Sequence, residues 1–107
     1  MPWYINFIFC TDEYLGELNK IWLHHSTLTD IITFPFSEQE DTISGDIYIS
    51  IERVQENART FGDPAEKELK RVMIHGVLHL IGYKDKSPGE KKKMRQKENY
   101  YLSRFTI

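Results

Sequence analysis

The stretch MIHGVLHLIGYKD, residues 73–85, sets two imidazoles and a carboxylate in the most apolar part of the chain. His75 and His79 stand four residues apart, which on a helix places them about 40° apart around the axis and ~6 Å along it. Both rings can then point at one spot beside the helix, the geometry of helical zinc sites. Asp85 follows soon after Gly82, where a chain reversal can return a carboxylate to the same spot. Two imidazoles and one carboxylate leave a position open for water, which marks a catalytic rather than a structural metal site.

A histidine pair at this spacing also arises without chemistry, as hydrogen-bonded core residues, and the spacing alone leaves the two readings level. Three neighbours tip the balance towards a metal. Burying two unpartnered imidazoles in an apolar segment is costly. Gly76, between them, costs about 1 kcal/mol relative to alanine inside a helix, and its bare backbone lets a strand or a substrate come close. The carboxylate of Asp85 arrives directly after the reversal. In H-E-x-x-H proteases a glutamate follows the first histidine as general base; here that position is Gly76. The helix carries no base of its own, which argues against peptide hydrolysis and leaves phosphodiester attack by a metal-bound water open. The sequence identifies no general acid or base.

These residues need a helix to hold them. Asp63 as cap, Pro64 at the first helical position and Glu66 three residues after the cap predict one running from there to about Ile81. Leu69, Val72, Met73, Gly76, Val77 and Leu80 repeat at helical spacing. From Met73 onward nearly every other position is apolar too, so this helix is central, and Gly82 is placed to end it. Ser87, Pro88 and Glu90 open a last helix through about Tyr101, with Met94, Tyr101 and Leu102 available for packing. Upstream, WYINFIFC reads as a first strand, and Asp12 as the cap of a helix over 13–23 with Leu15, Leu18 and Trp22 inward. IITFPF is a second extended stretch, with Pro35 suggesting a strand edge. EQEDTISG reads as a loop, and DIYISI alternates Ile47, Ile49 and Ile51 as a half-buried strand. ERVQENARTFG is a short helix stopped at Gly62.

A chain of 107 residues with 40% hydrophobic and 28% charged residues has room for one core. No stretch approaches the ~20 apolar residues of a membrane helix, and the first ten residues lack the pattern of a secretory signal. Cys10 is the only cysteine, which excludes an internal disulfide and multi-cysteine zinc sites; a reducing, cytoplasmic setting fits best. Net charge is -2, but residues 84–97 hold seven basic residues (Lys84, Lys86, Lys91, Lys92, Lys93, Arg95, Lys97) against Asp85 and Glu90. On charge alone a solvated helix face is the plainer reading; a phosphate-facing surface is the sharper one.

HGVLHLIGYKD followed by GEKKKMRQKE resembles the bacterial YbeY-type endoribonucleases, or rRNA maturation factors. Their signature is H-G-x-L-H-L-x-G-Y-D-H. His75, Gly76, Leu78, His79, Leu80, Gly82 and Tyr83 match in place, as do Leu18–Asn19, the stretch TDIITFPF at 29–36 and GDIYIS at 45–50. The resemblance implies an α+β domain, a small mixed sheet of about three strands packed against a central metal-binding helix with flanking helices. It also implies a zinc-dependent endoribonuclease specific for single-stranded RNA, one ion per chain. Such proteins act in the cytoplasm in ribosomal RNA processing, notably at the small-subunit 3′ end, and in ribosome quality control. Its partners are then rRNA and small-subunit ribosomal proteins, with no membrane.

The departures from the signature carry expectations of their own. The family's third metal-binding histidine falls on Asp85, so the expected ligands are His75, His79 and Asp85. The added negative charge makes a bound water less acidic and suits a harder metal as well as zinc. The aspartate before that histidine falls on Lys84. An arginine that follows Leu-Asn in the family falls on Leu23, with His24 and His25 the nearest substitutes, although ordinary loop histidines are the plainer reading. Relatives usually carry a further strand and helix before INFIFC, so the expected unit is one domain, 1–107, without them. Two rival readings stay open: a non-catalytic ribosome-associated RNA- or protein-binding factor with a structural metal, and a small metal hydrolase of another substrate.

Overall fold

The computed structural model describes residues 3–23, 29–36 and 43–104. Its elements run β1 (Trp3–Cys10), α1 (Asp12–Leu23), β2 (Ile31–Pro35), β3 (Ile43–Ser50), α2 (Ile51–Phe61), α3 (Ala65–Leu80) and α4 (Pro88–Leu102). The sheet order is β1-β3-β2, with β1 parallel and β2 antiparallel to β3. This is the mixed three-stranded α+β arrangement expected. His24 and His25, and the side chains of Trp22 and Leu23, lie outside the described residues.

Strand alternation sends the two faces of β3 to different partners. Ile47 and Ile49 are fully buried and join Val54 of α2 and Val72 of α3 in the main core. Tyr48 points the other way and stacks on Tyr14 of α1, with ring centroids 6.3 Å apart. Phe34 meets Tyr48 edge-on. Gly76 is where α3 comes closest to the sheet. A Cβ there would sit 2.8 Å from Ile31 Cδ1 and 2.9 Å from Ile47 Cγ2, so the bare backbone admits a strand. The outer side of α3 is covered in turn by α4, where Ile74 and Leu78 pack with Met94, and Tyr83 and Leu102 close the edge.

Several element ends differ from the expectation, each for a local reason. β3 begins at Ile43, so the last three residues of EQEDTISG are strand, paired with Trp3, Tyr4 and Ile5. It ends at Ser50, whose hydroxyl accepts from Arg53 N–H and caps α2; Ile51 is therefore helical. The cap of α1 is Thr11, which accepts from Tyr14 N–H at 3.1 Å. Asp12 is drawn away because the C-terminal ends of the parallel strands bring α2 beside it. Its carboxylate accepts from the Ser50 hydroxyl at 2.6 Å and from Arg53 at 2.9 Å. Those bonds hold the Asp12 carboxyl below the usual carboxylate range, the Ser50 hydrogen bond first among them. Pro64, in extended conformation, occupies the cap position of α3 without a side-chain cap. Asp63 stands one residue too early to cap, its N–H donating to Ala58 C=O in the tight turn from α2, and its carboxylate meets Lys67 at 3.4 Å.

Candidate metal centre

The C-terminus of α3 is a Schellman turn. Tyr83 N–H donates to Leu78 C=O at 3.0 Å and Gly82 N–H to His79 C=O at 3.1 Å. Gly82 takes φ +111°, a conformation that disfavours any residue with a Cβ. The accompanying apolar contact is Tyr83 against Leu78 and its cluster. Downstream, the capping box of α4 pins the other end of the connection, with Glu90 Oε1 accepting from the N–H of both Lys86 and Ser87. Asp85 is suspended between these two fixed ends.

The result brings the three expected residues together. His79 Nε2 lies 2.9 Å from His75 Nε2. Asp85 Oδ2 lies 3.2 Å from His75 Nε2 and 3.4 Å from His79 Nε2. Tetrahedral zinc with bonds of about 2.0–2.1 Å requires ligand atoms roughly 3.3 Å apart. The three edges of the triangle fit that requirement.

The other ring nitrogens show why the triangle suits a cation. His79 Nδ1 lies 3.0 Å from Tyr83 C=O, which can only accept, so the Nδ1 carries the proton. His75 Nδ1 lies 2.6 Å from Glu98 Oε2, a buried carboxylate that likewise accepts. Both Nε2 lone pairs then face each other, an arrangement satisfied by a shared cation, or by a proton on one ring. His75 takes a proton more readily than a free imidazole does. Burial pushes its pKa down, but the Glu98 hydrogen bond and the charges of Glu98, Asp85 and Asp30 outweigh it and raise it. The donor set of two imidazoles and a carboxylate, each imidazole oriented by a second acceptor, fits a zinc ion.

Glu98 is the site residue that sequence reasoning missed. It sits on α4, reached by packing rather than by local spacing, and is itself held. Arg71 lies 3.7 Å from both Glu68 and Glu98 and donates to Asn99 Oδ1 at 2.8 Å. Its signal was available in the spacing of Met94, Glu98 and Leu102, a single stripe along an otherwise charged helix; Met94 and Glu98 are buried and Leu102 partly so. Burial pushes the Glu68 carboxyl up, against the pull of Arg71.

Beside the triangle lies a cleft of about 380 Å³, floored by His75 and Asp85 and walled by α2 and α4. Asp30 also faces it, and burial pushes its carboxyl above the ordinary carboxylate range. Of the seven basic residues at 84–97, Lys91 and Arg95 line this cleft. Lys93 and Lys97 instead lie over the Tyr83 ring, at 5.6 and 5.9 Å from its centroid. Among the described residues, no helix is long and apolar enough to cross a membrane.

Comparison with known proteins agrees with this architecture. The endoribonuclease YbeY of Flavobacterium psychrophilum is 59% identical over 103 residues, which are 96% of this chain and 73% of that protein. The endoribonuclease YbeY of Bacteroides thetaiotaomicron is 48% identical over 99 residues, 92% of this chain and 72% of the relative. The solution structure of a Thermotoga maritima protein superposes with a TM-score of 0.66 at 37% identity, covering 92% of this chain and 65% of that one. The chain thus spans about three-quarters of these curated relatives and just under two-thirds of the solved one. The model of the family described as endoribonuclease YbeY matches residues 1–106, and this chain belongs to that family.

Proposed function

We propose that this protein is a zinc-dependent endoribonuclease that cuts single-stranded RNA. Its place is in cytoplasmic ribosomal RNA processing, at the small-subunit 3′ end, and in ribosome quality control. The observation that carries the reading is the triangle of His75, His79 and Asp85 opening onto a cleft, in a chain whose relatives bear the name endoribonuclease. Zinc bound there supplies Lewis acidity for phosphodiester hydrolysis. The chain's own part is orientation. Tyr83 C=O and the Glu98 carboxylate fix both imidazoles with their Nε2 atoms inward, so little reorganisation remains when the ligand set closes. Arg71 keeps Glu98 in place from behind.

A second reading rests on Asp85. A carboxylate in place of a neutral imidazole lowers the net positive charge of the centre and so its power to acidify water. On that reading the metal is structural, and the protein is a ribosome-associated factor that binds RNA or small-subunit proteins without cleaving.

One series of measurements separates them. Untagged protein is assayed for metal by mass spectrometry beside His79→Ala and Asp85→Ala, then for cleavage of single-stranded and duplex RNA. About one zinc per chain, lost in both variants, with cleavage confined to single strands, is the expected result. Full zinc with no cleavage favours the binding factor. A folded parent that takes up no zinc overturns both.

A further inference from the structure

The cleft beside the metal centre has two unlike walls. On the α4 side stand Lys91 and Arg95, one turn apart on one face. Lys91 is exposed, and Arg95 keeps more than half its side chain in solvent, with only a long 3.6 Å approach to Glu98. On the α2 side stand Asn57 and Phe61. Phe61 is 62% exposed at the helix end, a large aromatic ring with no core role. A ring left in water on the lip of a cleft, with two exposed basic side chains across it, is the pairing by which proteins hold single-stranded nucleic acid: stacking for a base, cations for the backbone.

We propose that this cleft is a one-nucleotide subsite flanking the cleavage point. The base stacks on Phe61 with Asn57 at its edge, and the adjoining phosphate lies between Lys91 and Arg95. The assignment rests on the ribonuclease reading and names how its substrate is held. It also divides the basic run by role. Lys91 and Arg95 meet the strand, while Lys93 and Lys97 cover Tyr83 and support the turn that orients His79. The volume of about 380 Å³ lies within the range of roughly 300–1,000 Å³ usual for small-ligand pockets. The cleft's four carboxylates outnumber its three fixed cations, and a divalent ion at the triangle reverses that balance. Strand binding is accordingly expected to weaken when zinc is removed.

The test is fluorescence anisotropy of a labelled 2′-O-methyl single-stranded oligonucleotide, which resists cleavage, with zinc-loaded protein. Phe61→Ala is expected to weaken binding about 5- to 100-fold. The Lys91→Ala/Arg95→Ala pair is expected to make the salt dependence shallower by about 0.7 log units per log salt for each contact removed. A Lys20→Ala/Lys92→Ala pair makes the same charge change outside the cleft, at exposed positions away from Tyr83, and is expected to leave affinity within about twofold and the salt slope unchanged. Equal losses in both double variants, or a Phe61→Ala variant that binds like the parent, would overturn the subsite. If the parent cuts RNA while the variants bind unchanged, the subsite alone fails. If the variants lose binding while the parent leaves unmodified RNA uncut, the subsite stands and the ribonuclease reading falls.

Discussion

His79 is held by a carbonyl and His75 by a carboxylate, and the two can be disturbed differently. The carbonyl belongs to the backbone and survives any side-chain change. Glu98 does not, so Glu98→Gln is the informative substitution: it keeps the shape and an accepting oxygen but removes the charge that raises the basicity of His75. Loss of such a partner costs about 10- to 100-fold in metal affinity, and chelator competition is expected to show a loss of that order while the fold persists. Unchanged affinity would mean that Glu98 only fills space. Asp30 offers a second test, with the opposite sense. Because burial raises its pKa, the folded state holds this proton more tightly than the unfolded chain does. Its contribution to stability is therefore best below the ordinary carboxylate pKa and falls as pH rises through that value to the raised one. Asp30→Asn is expected to melt higher than the parent at neutral pH, with the gap closing in acid; a constant gap would contradict the assignment. His75, His79 and Asp85 were legible in sequence because helix arithmetic and one glycine turn fix their relation within eleven residues. Glu98 was not, since the contact that matters crosses 23 positions and depends on how α4 rolls against α3.

The turn between α3 and α4 is the element on which the site depends. One Schellman motif ends the helix, turns Asp85 back and supplies the carbonyl that sets the tautomer of His79. Gly82→Ala forces a Cβ into a left-handed conformation at a cost of roughly 1–2 kcal/mol. It is expected to weaken zinc binding as well as lower the melting temperature, although residue 82 touches no ligand. A variant that loses stability but binds zinc normally would show that the turn relaxes without moving Tyr83. The glycine and the SPGE signature announced this turn in the sequence, since each allows few backbone solutions. The caps of α1 and α3 were misread because a capping side chain chooses among partners that only tertiary structure brings near. Asp12 found Ser50 and Arg53, and Asp63 was absorbed by the preceding turn.

At the scale of the molecule, the sheet and the candidate metal centre meet around Gly76, whose missing side chain lets α3 lie against Ile31 and Ile47 while the adjacent His75 lines the cleft. An ion that binds only the folded state stabilises it by about 2.7 kcal/mol at a hundredfold excess over its dissociation constant. Stripping zinc with a chelator is accordingly expected to lower the melting temperature by on the order of 10 °C. A melting curve indifferent to the chelator would place the metal outside the folded architecture. The span of the two halves sets an order of assembly. The sheet requires β1 to find β3 forty positions away, Trp3 against Ile43 and so on along the strand. The three expected ligands, the partners that orient both imidazoles and the Arg71 behind Glu98 lie in one uninterrupted stretch, and short closures cost less entropy than long ones. The helical hairpin can therefore close while the strands are still searching, and an ion held at the proposed site would act as a nucleus for folding, speeding the route to the native state as well as deepening it.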